Sequence, residues 1–153
     1  MESLHPLVVH FPIALLLTAV GLDLAAVGLR RPGWHRVGLW NLSLGTVGAA
    51  TAVLTGLRAE DVAKHSFEIW QVIQIHKRLG ISTLILGIMV VTVRLLKRDQ
   101  LSPRARVATL VAMVAMAATL SLGGYLGGRL VYEFGVGGSF GSTEHAAPSS
   151  DSR

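Results

Sequence analysis

Residues 76–94 read HKRLGISTLILGIMVVTVR: fifteen uncharged residues held between His76, Lys77 and Arg78 on one side and Arg94 on the other. At about 1.5 Å per residue the uncharged part makes about 22 Å of helix, short of the ~30 Å hydrocarbon layer that such an apolar run is suited to cross. The helix must therefore draw His76, Lys77 and Arg78 into the membrane boundary, with the long basic side chains reaching back toward the headgroups. This assigns a depth to His76, and depth is the coordinate that organises the remaining sequence.

Apolar stretches of spanning length fall near 7–29, 37–57, 70–93 and 107–126. The 153 residues are 51% hydrophobic and only 15% charged, and the mean hydropathy is +0.54, which excludes an ordinary soluble domain. With short connections between spans, the expected architecture is an all-α membrane protein, a four-transmembrane-helix up-and-down bundle over residues 1–138. Residues 139–153 are small and polar, and the expectation there is a disordered tail.

The net charge is +5, but the basic residues are not interleaved with aromatics on one face, which argues against nucleic acid. They gather instead between spans. The first connection holds Arg30, Arg31 and Arg36; the third holds Arg94, Lys97, Arg98, Arg104 and Arg106 with Asp99 as its acid; the second is mixed, with Glu60, Asp61 and Glu68. The positive-inside rule puts the first and third connections in the cytoplasm and both termini outside, as expected for a multi-pass protein of a bacterial inner membrane. The first span has no basic leader and reads as an N-out helix, not a secretory signal. There is no cysteine, which excludes disulfides, thiolate-held iron–sulfur clusters and covalent c-type haem.

Histidines carry the remaining chemistry. Counting back along the first span brings His10 to the same outer level as His76. Two imidazoles on different helices at one depth are what a non-covalent haem b needs as axial ligands. Lys77, Arg78 and Arg129 stand near the level of the propionates, and Gly124, Gly127 and Gly128 would let a flat macrocycle approach the backbone. Close helix packing is a simpler use of glycines, and Gly45/Ala49 and Gly48/Ala52 in the second span read that way. His5 and His65 rank behind His10 and His76 as ligands. His5 lies about 140° round an ideal helix from His10, and His65 lies roughly 16 Å along the chain axis from His76. Pro12 is expected to bend the helix near His10, so the choice between His5 and His10 stays open. His35 falls in a loop and His145 in the tail. Asp23, an acid in the inner half of the first span, is a functional candidate by its position, although Asn41 or Arg36 on the next helix could satisfy it locally. Ser66 reads as the N-cap of the third helix. Met89, Met113 and Met116 read as core. No G-x-S-x-G elbow or phosphate loop is present.

The opening HPLVVHFPIALL (5–16), Asp23, His76 and the closing LGGRLVYEFGVG (126–137) together resemble the bacterial membrane proteins catalogued as domain of unknown function 2231, over roughly residues 4–137. The resemblance implies a four-helix membrane module, sometimes found with Rieske-type redox domains, with His5, His10, His76, Gly127, Gly128 and Tyr132 at motif positions. The chain departs from that pattern at Phe134 and Gly138, where related sequences often carry His and Val. The functional expectation is a cytochrome b-like subunit holding one haem through His10 and His76 and transferring electrons. Its partners beyond membrane lipid would be a redox protein, a quinol, or a larger respiratory or photosynthetic complex. Two alternatives stand beside it: a cofactor-free assembly subunit, and a histidine-lined metal or proton transporter using His5, His10, His65 and Asp23.

Overall fold

The computed structural model describes residues 5–62, 66–97 and 100–136. His65, one of the candidate ligands, and the expected tail at 139–153 lie outside the described residues. Four helices make up the structure: α1 (His5–Gly28), α2 (Trp34–Val62), α3 (Phe67–Leu96) and α4 (Pro103–Tyr132), with no strand among the described residues. Each is long and apolar enough to cross a membrane. They mostly overrun the apolar stretches, because hydropathy falls at the first charge whereas backbone hydrogen bonding continues until a cap stops it. Ser66 does cap α3, accepting from the Ile69 N–H at 3.5 Å. Ser102 does the same for α4 from Ala105 at 3.3 Å, with Pro103 just inside the helix, where its missing N–H costs nothing. At the end of α1 the left-handed residue is Arg30, with φ of 52°, and the Arg31 N–H closes back on the Ala26 carbonyl at 2.9 Å. Pro12 sits within α1 without ending it.

The helices form a ring in chain order. α1 packs most extensively on α2 and α3 on α4, α2 meets α3, and α1 and α4 close the ring more thinly, leaving α1 and α3 on a diagonal. The α1–α2 approach rests on small residues: a Cβ on Gly45 would stand 2.8 Å from Leu16, and one on Gly48 would stand 3.2 Å from Phe11. Leu16, Ala19 and Val20 of α1 meet Leu42 and Ala49 of α2, Val90 of α3, and Met113 and Met116 of α4 in one buried cluster. Met89, expected in that core, is instead 46% exposed. Large apolar residues such as Leu54, Ile85 and Val111 point outward, as lipid-facing helices require. Mid-bundle hydroxyls are satisfied locally: Thr46 donates to Leu42 O, and Thr83 bonds Leu79 O and also reaches Thr119 of α4 at 2.9 Å.

Candidate functional site

At the end of the bundle where α1 begins, His5 and His76 meet. Their ring centroids are 6.2 Å apart with an interplanar angle of 85°. His76 Nδ1 lies 2.8 Å from the Gly123 carbonyl; a carbonyl only accepts, so Nδ1 carries a hydrogen and donates it. His5 Nδ1 lies 3.1 Å from Thr55 Oγ1. The Thr55 hydroxyl also lies 3.0 Å from the carbonyls of Thr51 and Ala52; with its one hydrogen donated to either, Thr55 accepts from His5. Both rings are thus tied to the protein through Nδ1, which leaves Nε2 as the nitrogen placed to ligate, the arrangement by which proteins orient imidazole ligands. Glycines make room for both rings. A Cβ on Gly56 would come within 3.0 Å of His5 Cε1, and one on Gly127 within 3.1 Å of His76 Cε1.

The ring brought against His76 is therefore His5, whereas His10, ranked first on depth alone, lies on an exposed face of α1. The angular offset between them was readable; which one turns inward is decided by how Leu16 and Pro12 seat against Gly45 and Gly48. The remaining candidates separate too. Lys77 is half-buried and Arg78 exposed. Gly127 packs under the His76 ring, whereas Gly124 and Gly128 face open space. Arg129 pairs with Glu133 one turn on, Nε to Oε2 at 2.8 Å, and lies over the Phe134 ring. Among the described residues no three His, Cys, Asp or Glu side chains assemble as a metal cluster.

A second polar centre occupies the other end. Asp23 is 2% exposed, and so is Arg94. Arg94 Nη1 donates to Asp23 Oδ2 at 2.5 Å, and its Nη2 donates to the His35 carbonyl at 2.6 Å. His35 Nδ1 donates to Asp23 Oδ1 at 2.5 Å. Gly38 clears the space beside the carboxylate, since a Cβ there would stand 3.2 Å from Asp23 Oδ2. The expected local partners are not the ones used: Asn41 donates to Val37 O of its own helix, and Arg36 is exposed. His35 and Arg94, both placed in connections from the sequence, are helical residues of this centre. For Arg94 the signal was one of spacing. Asp23 follows His5 by eighteen residues, and Arg94 follows His76 by the same eighteen.

No curated protein and no solved structure matches the chain. A family model that describes a predicted membrane protein matches residues 1–139, and the four helices of spanning length agree with that description. The chain belongs to that family, DUF2231.

Proposed function

We propose that His5 and His76 are the axial ligands of one non-covalent haem b and that the protein is an electron-transfer subunit of a bacterial inner membrane. The observation that carries this reading is the paired geometry. The rings stand 6.2 Å apart, each with Nδ1 tied to the protein and Nε2 left as the ligating nitrogen. A two-ligand group also suits a site with no third histidine or carboxylate among the described residues. Haem bound there would supply one-electron exchange, and with both axial positions filled by the protein it would have no open position for oxygen chemistry. Thr55 and the Gly123 carbonyl hold the ligand tautomers, Gly56 and Gly127 give the rings room, and Lys77 and Arg78 supply positive charge near the propionate level. A redox protein, quinol or larger complex on the outer side would be the exchange partner.

The test is a reduced-minus-oxidised absorption spectrum of the detergent-purified protein beside folded His5→Ala, His76→Ala and His10→Ala variants. A b-type spectrum retained in His10→Ala and lost in the other two is the expected result. Loss in His10→Ala with retention in His5→Ala reverses the ligand assignment. A colourless protein that takes up no added haemin overturns the reading, and the edge-to-face ring contact, ordinary at this distance, is then a clasp between α1 and α3.

A further inference from the structure

A crevice of about 150 Å³ lies at the Asp23 end of the bundle, lined from all four helices, a volume that in a protein interior accommodates a benzene-sized group. Leu101, Leu110 and Met113 form apolar walls, and Arg106 and His35 also line it. The Asp23 charge at the base is already met by Arg94, so the charge left over in the crevice is the positive one on Arg106, which makes no ion pair among the described residues. Around it the chain is basic: Arg31 immediately precedes the lining residue Pro32, and Arg36 follows His35. With Nδ1 donating to Asp23, the second polar atom of the half-buried His35 ring is its Nε2.

We infer that this crevice is a binding site for the headgroup of an anionic, hydroxyl-bearing phospholipid such as phosphatidylglycerol. The phosphate pairs with the Arg106 guanidinium, a headgroup hydroxyl hydrogen-bonds His35 Nε2, and an acyl chain follows the apolar wall of Leu101, Leu110 and Met113. Basic pockets between spanning helices on the cytoplasmic side are where anionic headgroups dock, and the positive-inside rule assigns this end to that side. The site is about 27 Å along α3 from His76 and does not depend on what the histidine pair holds.

The experiment follows the melting temperature of the full chain in neutral detergent against added phosphatidylglycerol, phosphatidylcholine or glycerol 3-phosphate. A saturable rise with phosphatidylglycerol alone is expected. Arg106→Gln should raise the half-saturating lipid concentration about fivefold, and Arg104→Gln, exposed on the same helix but outside the crevice, by less than about twofold. Equal shifts with phosphatidylcholine overturn the charge reading, and an equal shift with glycerol 3-phosphate reduces the site to a free-anion site. Equal losses in the two arginine variants show a diffuse basic surface and overturn the crevice.

Discussion

Replacing Arg94 by methionine removes a fully enclosed cation from its carboxylate. Asp23, 2% exposed, would then keep the His35 Nδ1 hydrogen bond without the cation that balances it, and breaking one side of a buried pair costs about 3–5 kcal/mol because the other charge remains buried. Asp23→Leu should cost at least as much, since it takes from the buried guanidinium the carboxylate that balances its charge. The double variant removes both charges. It loses the attraction but also both desolvation penalties, so its destabilisation should be smaller than the sum of the singles by about 2 kcal/mol or more. Reversible unfolding in mixed micelles, with added denaturing detergent as the variable, gives all four corners of the cycle. Single variants costing under about 1 kcal/mol, or a double variant equal to their sum, would refute a buried, mutually dependent pair.

Two further outcomes follow from the packing. Gly87→Ala places a Cβ 2.8 Å from Thr46 Oγ1 and should destabilise by about 1–3 kcal/mol in the same assay, whereas Gly21→Ala, which meets nothing within 4 Å, should be neutral or slightly stabilising. Met116→Ala, at a fully buried position, should cost about 2–5 kcal/mol, and Met89→Ala, at an exposed one, under about 1 kcal/mol; comparable losses would contradict the described core.

The number and order of spans were legible because membrane burial writes itself into long uncharged runs. Depth along a helix is a count; rotation about it is not. His5 and His10 differ by a known angle, yet nothing in α1 alone says which faces the bundle. The answer sits in α2, where Gly45 and Gly48 admit Leu16 and Pro12. Arg94 was misplaced for a different reason. Hydropathy treats the first cation after an apolar run as the end of the membrane segment, whereas a cation whose carboxylate waits on another helix belongs inside it, and that carboxylate is 71 residues away in sequence.

The equal spacing of the two pairs says more about how the bundle is held. α1 and α3 run parallel on the diagonal, where their backbones do not approach, so outside the central cluster they are joined by side chains at two levels: His5 with His76, and Asp23 with Arg94. Eighteen residues separate the levels on both helices, about 27 Å, so neither helix slides relative to the other between its two contacts. Two joints so far apart, with no shared partner, should act independently. His76→Ala and Arg94→Met should therefore add within about 0.5 kcal/mol when combined. A larger coupling, measured in the same unfolding assay, would mean that α1 and α3 shift as rigid rods, so that loosening the ionic joint also moves the imidazoles. The spectrum of Arg94→Met provides an independent reading: if the joints are separate, whatever the histidine pair binds keeps its wild-type absorption.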